Sequence, residues 1–230
     1  MEQEGRNPGT LRFETEKLFG HLSFKDRSVL DIGAGDGHTS MYAACAGATR
    51  VVALEPEAAG SHGDMRTKFE RQADRLGMRQ VVLREETLQD FEPGNERFDV
   101  LISKASINHL DEEKCSALHR DPDAWRAYRE ILSKLREVAN HDAHLIVYEC
   151  SRHNLFAQLG VRNPLVPTIE WDKHQSPKLW AALLEEVGFR APRIRWTTFN
   201  TLGRPGQLLF GNRVAAYLTT STFCLTMRRA

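Results

Sequence analysis

The sequence predicts an α/β fold, a doubly wound and mostly parallel sheet with helices on both faces and an antiparallel pair of strands at one edge. Three observations carry this expectation. Short apolar runs rich in branched residues alternate with stretches of helical period, a glycine-rich turn follows the first run, and two late runs are joined without a full crossover. Buried parallel strands are expected at 28–32, 51–54, 80–83, 98–102 and 145–148. Between them, Met65, Phe69, Ala73 and Leu76 share one helical face closed by Gly77. Trp125, Tyr128, Ile131, Leu132, Leu135 and Val138 share another, with Asp121 as cap and Pro122 at the first position, where a missing N–H costs little. A third helix runs from Ser176 and Pro177 to Val187 and stops at Gly188. In such a sheet, ligands sit beyond the carboxyl ends of the strands.

Two regions break the alternation. Residues 150–175 carry Pro164 and Pro167 and no sustained period, and their apolar content (Leu155, Phe156, Leu159, Ile169, Trp171) favours an ordered lid. Residues 202–216, with Gly203, Pro205, Gly206 and Gly211, form a second insertion between the strand-like runs 193–199 and 219–227. The whole of 1–230 is expected to form one domain.

Composition narrows the class. The 230 residues carry 31 Lys+Arg and 31 Asp+Glu, so no overall field draws nucleic acid or an anionic membrane. Apolar residues at 41% and charged residues at 27% describe an ordinary globular chain. Cys45, Cys115, Cys150 and Cys224 lack C-x-x-C pairing, which fits a reduced chain without a zinc knuckle or redox dithiol. The polar start MEQEGRNPG is unlike a secretory signal. An uncharged stretch such as 41–49 is far short of the roughly 20 apolar residues of a membrane helix. A cytoplasmic location follows as the expectation, with no membrane or nucleic-acid partner.

The most informative stretch is Val29-Leu30-Asp31-Ile32-Gly33-Ala34-Gly35-Asp36-Gly37. A strand running into three alternating glycines and then a helix lets backbone approach a ligand with no side chain between. A dinucleotide fingerprint would place its last glycine where His38 stands, and Asp31 is unhelpful beside pyrophosphate but suits a ligand ammonium group. Glu55 ends the second strand, 55 − 33 = 22 residues after the first glycine, close to the roughly 20 expected of an acid that accepts ribose hydroxyls. A nucleoside carrying an amino acid meets both demands.

These residues, with Phe98-Asp99-Val100-Leu101-Ile102 and the following Asn108-His109-Leu110, resemble the class I S-adenosylmethionine-dependent methyltransferases of small-molecule type, which have a Rossmann-like sheet. The resemblance covers about 27–148 in motif order. It implies S-adenosylmethionine as cofactor, with Asp31 at the methionine ammonium, Gly33, Gly35 and Gly37 along the methionine part, and Glu55 with the adjacent Pro56 at the ribose. The family's acid near the adenine falls at Thr87, beside Leu88, a departure from its pattern. Ser103 and Lys104 would lie between cofactor and acceptor.

A hydroxyl acceptor needs a base with a pKa near neutrality, and His109, on the loop after the fourth strand, is placed for that role, although capping a short helix explains it equally. Glu149, ending the fifth strand, is the alternative base or a grip for an amine or sugar hydroxyl, and His174 a substrate contact or second base. Trp171 reads more as an anchor of the lid in the core than as a substrate contact. Arg12 and Phe13, in a short leading helix, would close over the cofactor as such helices do in the family. Ser103-Lys104-Ala105-Ser106 lacks the Asn/Asp-Pro-Pro-aromatic run of adenine and glutamine methyltransferases, and no carboxylate there provides for a catechol-type metal. Arg193 and Arg195 alternate on one strand face and read as solvated. The expected activity is methyl transfer to a small molecule, at a hydroxyl of a secondary metabolite or sugar, by a monomer or homodimer. An N- or carboxyl-methyltransferase, a nicotinamide oxidoreductase and a non-catalytic cofactor-binding protein are the alternatives.

Overall fold

A computed structural model describes residues 7–56 and 65–230, so the first six residues of the polar start lie outside it. Seven strands form one sheet: β1 (Ser28–Ile32), β2 (Arg50–Leu54), β3 (Val81–Arg84), β4 (Phe98–Lys104), β5 (Ala139–Cys150), β6 (Phe189–Trp196) and β7 (Thr222–Arg229), in the order β3-β2-β1-β4-β5-β7-β6. The first five run parallel, and β7 lies antiparallel between β5 and β6. The chain winds outward in both directions from β1 and β4, so the crevice at their carboxyl ends is the topological switch point, where open α/β sheets hold ligands.

Helices α1 (Pro8–Phe19), α2 (His38–Cys45) and α3 (Met65–Leu76) belong to one face; α4 (Glu112–Ala117), α5 (Pro122–Val138) and, after the short α6 (Leu155–Gln158), α7 (Pro177–Glu186) cover the other. Strand alternation feeds both layers. Val29, Val51, Val100 and Ile146 join Leu18, Phe19, Met41 and Phe69 on the first face, whereas Leu30, Ile32, Leu101 and Leu145 join Tyr128, Leu132 and Trp180 on the second. The Tyr128 and Trp180 rings lie 5.5 Å apart, tilted, at the centre of that second layer. Each side chain of this size withdrawn from water contributes about 1.5–3 kcal/mol, which fixes the sheet on which the crevice is built. Among the described residues, no helix is long and apolar enough to cross a membrane.

The antiparallel edge differs in detail from expectation. The strand expected at 193–199 is β6, which begins at Phe189 and runs through Pro192. Ala191 takes φ +55° and the register with β7 shifts between Arg190 and Arg193, so a bulge on the outermost strand absorbs the missing N–H. The other expected strand, 219–227, is β7 at Thr222–Arg229. Between them the expected insertion forms two short helices, α8 (Gly203–Phe210) and α9 (Arg213–Leu218). In 150–175, β5 reaches Cys150, α6 follows, and a single 3-10 turn spans Trp171–Lys173. Trp171 is only half-buried and stands outside both core clusters, contrary to its reading as the anchor. Its neighbour Gln175 ties the segment down instead: it is fully buried, donates to Cys115 O at 2.6 Å and accepts from Arg152 at 3.3 Å.

Candidate active site

A cavity of about 890 Å³ opens at the switch point, within the roughly 300–1,000 Å³ usual for small-molecule and cofactor sites. Its floor is the glycine turn after β1. Gly33 N and Ala34 N both donate to Leu54 O, at 2.8 and 3.0 Å, which pins the turn to the end of β2. Gly33 has φ +67°, and a Cβ there would stand 2.4 Å from Ser106 Cβ; Gly37, at φ +82°, would meet the Phe69 ring at 2.4 Å. Both positions are therefore closed to any side chain. Gly33 and Gly35 line the cavity, whereas Gly37 caps α2 behind it.

Asp31 points from β1 toward α2 and is 1% exposed. Ser40 Oγ donates to its carboxylate at 2.7 Å, yet burial outweighs that bond and lifts the carboxyl to about 6. Lys104, at the end of β4, pulls in the opposite direction, and Glu55 adds to the rise. A desolvated acid at the edge of a cavity is stabilised as carboxylate by an incoming cation. Glu55 Oε2 accepts from Gly35 N at 2.7 Å, so the acid and the glycine turn are already joined across the cavity floor. His38 Nε2 lies 3.2 Å from Asp36 Oδ2 in the same wall.

Pro56, Thr87 and Leu88 also face the cavity. The Thr87 hydroxyl donates to Asp90 at 2.6 Å and accepts from Asp90 N, which commits it to its own turn. The carboxylate in this wall belongs to Glu86, one residue earlier, beside Arg84.

The far wall is built by the end of β4. Ala105, with φ +53°, turns the chain sharply, and Ala105 N donates to Tyr148 O at 2.8 Å. Ser103 lies behind this wall, its hydroxyl 2.7 Å from that of Ser106, which in turn donates to Ile32 O at 2.5 Å. Lys104 lines the cavity and is ion-paired to Glu14 of α1. Glu14 is thus what α1 brings to the site; Arg12 is exposed and bonded to Glu16, and Phe13 packs beneath the Lys17 ammonium.

Of the three expected catalytic residues, only His109 lines this cavity. Its Nδ1 stands 2.6 Å from Glu112 Oε1, whose carboxyl is lowered by bonds from Lys173 and His109. Tyr128 holds the turn that carries His109: its buried hydroxyl donates to Ile107 O at 2.9 Å and receives Asp111 N at 3.3 Å. Glu149 and His174 come together elsewhere, 3.1 Å apart and both buried, with Glu149 Oε1 also accepting from Cys150 N at 2.7 Å. Ser40, Ser106, Tyr128 and Glu14 escaped the sequence reading because each acts through a partner on another element.

Residues 29–137 match the family model described as a methyltransferase domain. Solved structures of similar fold include an S-adenosylmethionine dependent methyltransferase from Mesorhizobium loti, with TM-score 0.65 and 12% identity over 94% of this chain and 98% of that one. A methyltransferase of the same cofactor dependence from Aquifex aeolicus gives 0.62 and 15% over 99% and 95%. The 1,6-didemethyltoxoflavin-N1-methyltransferase of Burkholderia thailandensis, solved with 1,6-didemethyltoxoflavin and S-adenosylhomocysteine bound, gives 0.58 and 18% over 96% and 78%. Residues 29–137 thus match a methyltransferase domain, and the chain has the fold of S-adenosylmethionine-dependent methyltransferases. The cavity suits that cofactor on its own terms: a desolvated carboxylate awaits a cation, a second acid stands at the tip of β2, and the turn between them admits no side chain at Gly33.

Proposed function

We propose that this enzyme methylates a hydroxyl oxygen of a small organic molecule, with His109 as the general base. The observation that carries this reading is the His109–Glu112 pair in the cavity wall: a carboxylate at 2.6 Å from Nδ1 orients the imidazole, and Nε2, now 3.4 Å from the Asn108 amide nitrogen, takes the proton once the acceptor hydroxyl replaces that contact. Bound S-adenosylmethionine supplies an activated methyl group, held by Asp31 at its ammonium, the Gly33–Gly35 backbone along its methionine part, Glu55 and Pro56 at the ribose, and Leu88 with Glu86 and Thr87 at the adenine. The protein's own work is then to align the hydroxyl, accept its proton at His109 and keep water out. Lys104 borders the space between cofactor and acceptor, with 150–175 as a lid over the acceptor side. Glu149 and His174 serve in this reading to hold that lid to β5. Four free thiols fit a reducing, cytoplasmic setting.

The test is turnover of phenols and alcohols against amines, with wild type and His109→Ala. General-base catalysis contributes about 10²–10⁴-fold, so the variant should lose that much turnover while its affinity for S-adenosylhomocysteine holds. The structural likeness to an N1-methyltransferase favours a second reading, a nitrogen acceptor. A neutral amine needs no base before attack, so undiminished turnover of an amine by His109→Ala would decide for it.

A further inference from the structure

A second cavity, also about 890 Å³, lies between α1, the edge strand β6 and α8, outside the site described above. Phe13, Trp196 and Leu208 give it apolar walls, and Lys17, Arg195 and Arg204 give it three cations. Lys17 is the unusual member. Its side chain is buried, its ammonium lies 5.7 Å from the centres of both the Phe13 and Tyr148 rings, and it donates to Thr198 O at 3.0 Å and Asn200 Oδ1 at 2.6 Å. An ammonium has three protons to give, and both acceptors are neutral. The charged and titratable groups around it are Glu14 on its own helix, Lys104 of β4, Arg195 of β6 and Cys224 of β7. Glu14 is committed to Lys104 and to the Asn200 amide, which donates to it at 3.0 Å. Burial lowers Lys17 to about 8, as expected of a buried cation short of a counter-ion.

The surroundings are positive as well. Arg195 donates to Leu18 O at 3.2 Å and forms no ion pair with a carboxylate among the described residues. Arg204 shares Glu16 with Arg12, and His21 in the cavity wall is lowered by burial and by Arg195 and Arg193. Glu16, the wall's carboxylate among the described residues, is therefore spent on two guanidinium groups in a chain of zero net charge.

We propose that this cavity is a second ligand site for a small organic anion, an aromatic or aliphatic body bearing one carboxylate. The carboxylate would sit between Lys17 and Arg195, and the body between Phe13, Trp196 and Leu208. The anion is either one end of the methyl acceptor or a separate effector, and the site stands whether the acceptor atom is oxygen or nitrogen.

Titration calorimetry of the full chain with 1-naphthoate and its neutral analogue 1-naphthalenemethanol tests the site. A charge-assisted contact makes the carboxylate bind about tenfold or more tighter than the alcohol. Lys17→Met and Arg195→Gln should each bring the two ligands close to equal, with alcohol binding retained. Arg195 is exposed, so Arg195→Gln tests the site even if Lys17→Met fails to fold. Equal binding of both ligands by wild type, or a preference for naphthoate that survives Arg195→Gln, overturns the proposal. With S-adenosylmethionine present, methylation of 6-hydroxy-1-naphthoate at its hydroxyl with the carboxylate left free marks the acceptor's own anionic end, whereas tight binding without methylation marks an effector. His109→Ala should bind naphthoate as wild type does, which separates this test from that of the base.

Discussion

Lowering the pH from 7 to 5 should weaken cofactor binding through one group, Asp31. Its carboxyl is held at about 6 by burial. At pH 7 about one molecule in eleven carries the proton there; at pH 5 about ten in eleven do. The ammonium of S-adenosylhomocysteine selects the ionised form, so its Kd should rise about tenfold over this interval. The same shift has a cost in stability. A carboxyl raised from 3.8 to about 6 binds its proton more tightly in the folded state, so folding stability falls as pH rises from about 4 to 6, by about 3 kcal/mol in all. Asp31→Asn keeps an acceptor for Ser40 and removes the charge. It should melt higher than wild type at pH 7 and bind cofactor weakly, with an affinity that no longer follows pH across this range. The assay is calorimetric titration of both proteins at pH 5, 6 and 7, with melting curves in the same buffers. A wild-type Kd that stays flat, or an Asp31→Asn profile as steep as wild type, would refute the assignment of the ammonium to Asp31.

Other expectations follow from the walls of the same cavity. Gly33→Ala places a Cβ 2.4 Å from Ser106 Cβ in a left-handed conformation, and should cost about 2–4 kcal/mol in urea denaturation. Pairing it with Ser106→Gly should recover part of that loss; no recovery would mean the contact is not the cause. Tyr128→Phe leaves Asp111 N and Ile107 O without their buried partner, and should cost about 1–3 kcal/mol and lower kcat through the turn carrying His109. Unchanged kcat with that stability loss would confine Tyr128 to the core.

Much of this site could be read from residue types because its main parts are local. The turn from Asp31 to Gly37 is written in consecutive residues, and Gly33 and Gly37 answer steric demands that no other residue meets. Glu55 was legible because the strand before it is an uninterrupted apolar run whose tip must face the crevice. What stayed hidden depends on contacts between distant elements. Ser40 reaches Asp31 only because α2 packs over β1, and Glu14 reaches Lys104 only because α1 lies across the end of β4. Thr87 was reached by counting back from Phe98, and the carboxylate Glu86 stands beside it in the same wall. Glu149 and His174 look like acid–base candidates by type, yet they face each other in the protein interior, and alternation along β5 turns Glu149 to the face opposite Tyr148. At the edge, the strand read from the sequence began at Arg193, whereas β6 starts at Phe189 and passes through Pro192, which a bulge on an outer strand accommodates.

The most direct measurement is a crystal structure of the chain with S-adenosylhomocysteine. The account requires the ligand's amino group beside Asp31 and both sugar hydroxyls on the Glu55 carboxylate. Density in any other orientation, or bound ligand that leaves Glu55 still joined to Gly35 with no sugar contact, would contradict it.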